Sequence, residues 1–194
     1  MAVDNVIEDP VFDQAALRRA LKRSASALKR DGVRFALAGG YALWAHGAPE
    51  PEHDVDIAVA EEDVETAAES LAAEGFQIER PPEDWLFKAF AEDAMVDVLH
   101  RIQGVAVTPG LIATAEEHEL IGLRVPVLPP TPIMVAKLQS LSEHYCDFTT
   151  LLPSVRALRE QLDWAELRRA TSDLPFAEAF LLVADRLGIA PSGA

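Results

Sequence analysis

Apolar residues near the start of the chain recur at intervals of three and four. Between residues 13 and 30 they are Ala16, Leu17, Ala20, Leu21, Ala25 and Leu28. This spacing places them on one side of an α-helix. The pair Asp31 and Gly32 is a typical helix stop. We therefore predict an amphipathic helix over residues 13–30.

The pattern after Gly32 changes to that of β-strands. Residues 33–38 (VRFALA) form a short apolar run that stops at Gly39 and Gly40, and the following YALWAHG has the length of one or two helical turns. Residues 53–59 (HDVDIAV) alternate apolar and polar positions, which is typical of a half-buried strand. The next predicted elements are a helix over 61–74 and short strands over 76–79, 85–90 and 94–99.

The second half of the chain has a different character. Residues 108–132 are rich in Pro and Gly and are predicted to be irregular. Helical periodicity follows, with helices predicted over 133–145, 150–161, 164–171 and 176–187. The pattern predicts an α+β fold, in which a small mixed β-sheet core has flanking helices and a helical C-terminal part. We place the core, with the N-terminal helix, at 1–130 and the C-terminal helical region at 131–194.

Composition agrees with a folded domain. The chain has 194 residues, of which 49% are apolar and 25% charged, as in ordinary globular proteins. No stretch approaches the roughly 18–20 apolar residues of a membrane span. The first ten residues (MAVDNVIEDP) are acidic and lack the layout of a secretory signal. We expect a cytoplasmic protein without a membrane segment.

Charge is unevenly distributed along the chain. The net charge is −15, and residues 49–97 hold 16 of the 32 acidic residues. Such a field repels nucleic acid in general. The predicted N-terminal helix is instead basic, with Arg18, Arg19, Lys22, Arg23, Lys29 and Arg30. This basic side either complements the acidic part of the same molecule or contacts a partner or RNA.

Three aspartates have the pattern of a metal site. Asp54 and Asp56 are two residues apart on a predicted strand, so both side chains point to one face. Asp97 lies on a second predicted strand, in the run MVDVL. If the two strands are neighbours, three carboxylates converge, and such a cluster needs a cation. Oxygen ligands suit Mg²⁺ or Mn²⁺. A solvated strand face is the alternative interpretation of these residues.

Gly39 and Gly40 lie between a predicted strand and a predicted helix. Glycines there allow a ligand to approach the backbone, and a helix N-terminus attracts phosphate. Clustered carboxylates beside a phosphate site are typical of two-metal phosphoryl chemistry. A Gly-Gly pair or an Asp-x-Asp pair alone is weak evidence, and the combination is much more specific.

These residues resemble the nucleotidyltransferases of the DNA polymerase β-like superfamily. The motifs are residues 37–47 (LAGGYALWAHG), 53–59 (HDVDIAV) and 95–99 (MVDVL). More loosely, residues 125–141 (VPVLPPTPIMVAKLQSL) are similar to a segment of AbiEii-like and other minimal bacterial transferases. The resemblance covers about residues 33–152, and its first part is the most specific.

The resemblance implies roles for six residues. Asp54 and Asp56 would bind the catalytic metals and the nucleoside triphosphate, ATP included, and Asp97 would complete the site and act as base. Gly39 and Gly40 would hold the phosphates. Lys137 would face the nucleotide, although a surface lysine is an equal alternative at that position.

One departure from the family pattern concerns Glu50. Relatives often carry an arginine four residues before the first aspartate of the pair, where this chain has Glu50. Lys88, Lys137 or an N-terminal arginine would have to supply the missing positive charge. Otherwise nucleotide affinity would be poor and the protein degenerate.

The resemblance implies transfer of a nucleoside monophosphate from a nucleoside triphosphate to a hydroxyl acceptor, with release of pyrophosphate. The acceptor stays open between a small molecule, such as an aminoglycoside or lincosamide, an RNA end, as in toxin–antitoxin systems, and a protein side chain. A cognate antitoxin or other partner protein is a further expectation. The alternatives are a catalytically silent partner-binding protein and, less favoured, a phosphohydrolase.

Overall fold

A computed structural model of the chain describes residues 13–91 and 94–190. Its helices in these ranges are α1 (Gln14–Arg30), α2 (Gly39–Ala45), α3 (Val64–Ala73), α4 (Pro109–Ile112), α5 (Pro130–Gln139), α6 (Phe148–Leu158), α7 (Trp164–Ala170) and α8 (Pro175–Arg186). Its strands are β1 (Phe35–Leu37), β2 (Val55–Val59), β3 (Gln77–Glu79), β4 (Leu86–Ala91), β5 (Ala94–Leu99), β6 (Arg101–Ile102), β7 (Val105–Ala106), β8 (Glu116–Leu120) and β9 (Leu123–Val127).

Seven of these strands form one mixed sheet in the order β3-β4-β5-β2-β1-β9-β8. Within it, β2 pairs with β5 and β1 with β9 in parallel, and the other neighbours are antiparallel. The remaining two strands, β6 and β7, form a small hairpin of their own. The protein therefore has the α+β fold that the sequence predicts.

The two faces of the central strands differ in polarity. Val55, Ile57 and Val59 alternate along β2 and are fully buried, since successive side chains point to opposite faces. Helix α1 packs against β5 and β2 and also contacts α3. The apolar residues Leu17, Leu21 and Leu28 of α1 are buried in the same core. This packing leaves the opposite face, with the aspartates of β2 and β5, available to the candidate site.

The first half of the chain closely follows its predicted elements. Helix α1 begins and ends within one residue of prediction, and β1, β2, β4 and β5 lie where strands were predicted. The predicted helix over 61–74 is divided into a 3₁₀ turn, Glu61–Asp63, and α3. Strong local periodicity explains this agreement.

The prediction for residues 108–132 was wrong. This stretch contains the short helix α4 and the hairpin β8–β9. Strand β8 (EEHEL) is an edge strand of exposed or half-exposed residues and therefore lacks apolar alternation. Its turn uses Ile121 and Gly122 with φ of 50° and 76°, and a β-branched residue there gives no turn signal.

The helix predicted over residues 133–145 begins and ends earlier in the chain than predicted. Helix α5 begins at Pro130 and ends at Gln139. Proline fits the first turn of a helix because no intrahelical N–H bond is needed there. Residues 142 and 145 instead pair as an isolated bridge. The sequence pattern therefore predicted this helix correctly but misplaced both its ends.

Among the helices in the described ranges, none combines the length and the apolar character needed to cross a membrane. Residues 1–12, on which the expectation of a cytoplasmic protein also rests, lie outside the described residues.

Candidate active site

The parallel pairing of β2 and β5 brings the three predicted aspartates together. Asp56 lies directly opposite Asp97 in the register of the two strands. Asp54, Asp56 and Asp97 each place one carboxylate oxygen within 4.8 Å of the others. Asp97 is buried, and the other two are half-buried. The convergence predicted from strand periodicity is therefore present.

Repulsion between carboxylates and burial both shift the pKa values of this carboxylate triad. The charge of Asp56, burial and the charge of Asp97 together raise the pKa of Asp54 to about 8. Burial also raises the pKa of Asp56, against the opposing effects of Lys137, the Gly40 N–H and Lys88. Carboxylates held so close favour either a bound proton or a bound cation. A donor set of three carboxylates fits a hard divalent cation such as Mg²⁺.

Gly39 and Gly40 form the first turn of α2 and lie next to the triad. The backbone N–H of Gly40 hydrogen-bonds the Asp56 carboxylate. Gly39 has a φ of +50°, and a Cβ there would lie 1.6 Å from Oδ2 of Asp56. A Cβ at Gly40 would lie 2.8 Å from Cβ of Pro51. Gly39 is therefore required for close packing against Asp56, and Gly40 for close packing against Pro51.

Lys88 contacts the triad from the neighbouring strand. It lies opposite Asp97 in the antiparallel pair β4–β5. Its Nζ is 3.1 Å from each carboxylate oxygen of Asp97 and 3.4 Å from Sδ of Met95. The sequence suggested Lys88 only as one source of a missing positive charge. Its pairing with Asp97 depends on strand register, which the sequence does not specify.

Lys137 lies on α5, which packs against α2. Its charge lowers the pKa values of both Asp54 and Asp56. It lines the same cavity as Gly39 and Asp56. All six residues singled out from the sequence therefore lie at one place in the fold.

Glu50 is paired with Arg18 of α1. Nε of Arg18 donates to Oε1 of Glu50 over 2.7 Å, and the Tyr41 hydroxyl lies 3.5 Å from the same oxygen. The Arg18 guanidinium also lies 5.5 Å from the ring centre of Trp44. Arg18 thus offsets the negative charge of Glu50, and the supply of positive charge to a nucleotide by an N-terminal arginine stays a prediction.

Other basic residues of α1 contact acidic residues of the same chain. Arg30 pairs with Glu74 and Asp31, and Arg23 donates to the Glu74 backbone oxygen. These contacts favour the interpretation that the basic helix complements the acidic part of the same molecule.

Two cavities meet at the triad. The large cavity, of about 790 Å³, lies between the sheet and α5, and its lining includes Gly39, Asp56 and Lys137. The small cavity, of about 310 Å³, is lined by Asp54, Pro81, Glu83, Trp85, Leu86, Lys88, Met95 and Asp97. Asp56 therefore faces one cavity, and Asp54 and Asp97 face the other.

Sequence reasoning missed two elements of these cavities. Trp85 is 44% exposed and lines both of them. The β6–β7 hairpin lines the large cavity, and its turn residue Gln103 donates from Nε2 to the Ala136 backbone oxygen over 3.1 Å. Gln103 has a φ of 50°, and a Gln-Gly turn between two-residue strands gives only a weak signal.

A mixed sheet that presents carboxylates from adjacent strands beside a Gly-Gly helix start defines a nucleotidyltransferase of the polymerase β-like fold. The chain belongs to the family described as "Uncharacterised nucleotidyltransferase", whose model matches residues 9–192. A comparison with curated proteins gives no match.

Solved structures share this fold at low sequence identity. An antigenic nucleotidyltransferase-like protein from Paracoccidioides brasiliensis is 15% identical over 93% of each chain, with a TM-score of 0.57. The antibiotic-resistance factor ANT(2'')-Ia is 14% identical over 91% of this chain and 95% of its own, with a TM-score of 0.54. The lincosamide antibiotic adenylyltransferase LnuA, solved with lincomycin bound, is 16% identical over 75% of this chain and 96% of its own, with a TM-score of 0.50.

Proposed function

We propose that the protein is a metal-dependent nucleotidyltransferase that moves a nucleoside monophosphate from a nucleoside triphosphate, such as ATP, to a hydroxyl acceptor. The observation that carries this proposal is the convergence of three carboxylates, within 4.8 Å, beside the first turn of α2. Family membership supports the same reaction class.

The two cavities suggest a separate binding site for each of the two substrates. The large cavity has the volume of a nucleotide-sized site and includes Gly39 and Lys137. We assign it to the nucleotide, with the phosphates near the start of α2 and the charge of Lys137. The small cavity contains Asp54 and Asp97 and is assigned to the acceptor.

In the proposed reaction the acceptor oxygen attacks the α-phosphorus, and the bond from the α-phosphorus to the bridging oxygen breaks. Pyrophosphate carries away that electron pair. A carboxylate oxygen of Asp97 accepts the acceptor's proton, because Asp97 faces the acceptor cavity and general bases act within hydrogen-bond reach. Gly40 and Lys137 orient Asp56 and the nucleotide.

Mg²⁺ or Mn²⁺ fits the donor set of Asp54, Asp56 and Asp97. Two such ions would supply positive charge to the phosphates and lower the barrier for the attacking and leaving oxygens.

Residues 1–130 are proposed as the catalytic core, and residues 131–194 as a helical region that closes one side of the cleft. Residues 1–12, 92–93 and 191–194 of these segments lie outside the described residues. The contacts of α5 with α2, α7 and α8 support a role for the C-terminal helices at the cleft.

The acceptor is proposed to be a small hydroxyl compound or an RNA end. The acidic residues Asp54, Glu83 and Asp97 around the small cavity favour a cationic small molecule. An RNA acceptor would suit a toxin-like role with a cognate antitoxin. The pairing of the basic α1 residues with acids of the same chain leaves less charge for RNA.

Transfer of label from α-³²P nucleoside triphosphates, with Mg²⁺, tests the proposal. Each of the four nucleotides is offered with an aminoglycoside, a lincosamide and bulk tRNA, and pyrophosphate release is measured in parallel. We expect an acceptor-dependent labelled product from the wild type and none from Asp56→Asn with an unchanged circular dichroism spectrum. Release of inorganic phosphate without a labelled product would indicate a phosphohydrolase instead.

A catalytically silent partner-binding role remains the second candidate, because Glu50 replaces the arginine of the family pattern. Thermal melts with Mg²⁺ and each nucleotide separate the two, since a ligand that binds only the folded chain raises its stability. We expect a metal-dependent shift that Asp56→Asn abolishes. No shift at millimolar nucleotide would favour the silent protein.

A further inference from the structure

Lys88 is a cation that directly contacts the carboxylate triad. Its Nζ lies 3.1 Å from both oxygens of Asp97, and its side chain is 28% exposed. Strand β4 fixes its backbone directly opposite Asp97. The ammonium group is thus held at the carboxylate that a second metal ion would need.

An ammonium group and a metal ion cannot use the same carboxylate oxygens at once. Nζ of Lys88 donates to both carboxylate oxygens of Asp97. Its effect on Asp54 and Asp56 is that of its charge, which lowers their pKa values. Binding of an ion through Asp54 and Asp56 therefore leaves the Lys88–Asp97 pair intact. Binding of an ion that also requires Asp97 costs the charged hydrogen bonds of that pair.

Lys137 provides an internal comparison. It also acts on Asp54 and Asp56 through its charge, and it lines the large cavity, whereas Lys88 lines the small one. Lys137 does not line the small cavity, in which Lys88 contacts Asp97. Both lysines therefore exert a field effect on Asp54 and Asp56, and Lys88 adds a direct contact with Asp97.

We propose that Lys88 is a positioning residue that occupies both carboxylate oxygens of Asp97. As a consequence, the two metal ions bind in sequence. The first ion binds through Asp54 and Asp56, and the second binds only when Lys88 releases Asp97. This inference rests on the proposed metal-dependent function. It adds a reason for a lysine on β4, because the Lys88 ammonium group holds the Asp97 carboxylate in place in the small cavity until the second ion binds.

Mn²⁺ titration followed by electron paramagnetic resonance, without nucleotide, tests the order of binding. We expect one tight and one weak Mn²⁺ site in the wild type. Lys88→Met should tighten the weak site by about tenfold or more, because the competing charged hydrogen bonds are gone, and should change the tight site less. Lys88→Arg, which retains a cation, should keep the weak site weak.

Two matched variants separate competition from a general field effect. Lys137→Met removes the same charge without touching Asp97 and should not tighten the weak site selectively. In a Lys88→Met, Asp97→Asn double variant the gain should disappear. Equal tightening of both sites by either lysine change, or a gain that persists with Asp97→Asn, would overturn the inference and leave the proposed function intact. Absence of Mn²⁺ binding in every variant would overturn both.

Discussion

Gly39 and Asp56 are packed so closely that no side chain fits between them. A Cβ at Gly39 would lie 1.6 Å from Oδ2 and 2.4 Å from Cγ of Asp56. Gly39 also has a φ of +50°, which disfavours any other residue. The glycine of the proposed phosphate-binding turn is therefore required first for the position of a carboxylate.

Gly39→Ala should displace Asp56 and reduce nucleotide transfer by about 10²-fold or more, since a misplacement of about 1 Å has effects of that size. Gly47→Ala is the matched control. Gly47 has a φ of +111°, and a Cβ there would meet nothing within 4 Å, so this change adds backbone strain without the clash. Equal transfer rates for the two variants, measured beside their melting temperatures, would contradict this account.

Asp54→Asn should stabilise the metal-free protein, and more so as the pH rises. The pKa of Asp54 is raised to about 8, against about 4 in an unfolded chain. A carboxyl whose pKa is higher in the folded state than in the unfolded state costs stability as pH rises between those two values. The wild type should therefore lose stability between about pH 4 and pH 8, and the asparagine variant should lose less, since only Asp56 still has a pKa raised by burial.

Melting in EDTA between pH 5 and pH 9 measures this difference. At pH 8 or above we expect the variant to melt at least 2–4 °C higher than the wild type, which corresponds to about 1 kcal/mol for a chain of this size. Saturating Mg²⁺ should reduce or reverse the difference, because the ion stabilises the charged triad. A variant that melts lower than the wild type in EDTA at every pH would show that repulsion is not the dominant effect.

The Asp54–Asp56 pair was predictable because it depends on a single periodicity. Asp54 and Asp56 share a face wherever residues 53–59 form a strand. Asp97 joins them because β5 is the parallel neighbour of β2. The sheet core and most elements before residue 100 are likewise encoded in strong local patterns.

The parts that were missed depend on contacts between distant segments. Arg18 pairs with Glu50 across 32 positions, and Lys88 meets Asp97 through strand register. The β8–β9 hairpin is an exposed edge whose pairing with β1, through Leu37 and Val127, is tertiary. Neither apolar periodicity nor turn chemistry carries that information.

The Arg18–Glu50 pair should act as a unit. Glu50 is nearly buried, with a side chain that is 10% exposed, and it lies a few residues before Asp54. Arg18→Gln would leave its carboxylate uncompensated near the proposed phosphate site, so nucleotide binding should weaken severalfold. The Arg18→Gln, Glu50→Gln double variant should regain most of the lost affinity, since both charges are removed.

Calorimetric titration with a non-hydrolysable nucleoside triphosphate measures this cycle. Arg80→Gln is a suitable control, because Arg80 pairs with Glu65 on the surface and its removal changes the net charge equally. Additive effects of the Arg18 and Glu50 changes would show that the pair does not support the site.

Lys137→Gln should weaken nucleotide binding more than it slows the bound reaction. Lys137 lines the large cavity together with Gly39 and Asp56, so its charge is available to the phosphates in the ground state and in the transition state alike. Loss of such uniform binding raises KM and leaves kcat nearly unchanged. A charged hydrogen bond is worth about 1.5–3 kcal/mol, so KM for the nucleotide should rise by about 10-fold or more.

Lys22→Gln on α1 is the matched control for Lys137→Gln. Lys22 is exposed, and its change alters the net charge by the same amount. Initial rates at varied nucleotide and saturating acceptor give kcat and KM separately. If Lys137→Gln lowered kcat at unchanged KM, the lysine would act on the transition state alone. The main evidence for assigning the large cavity to the nucleotide would then be lost.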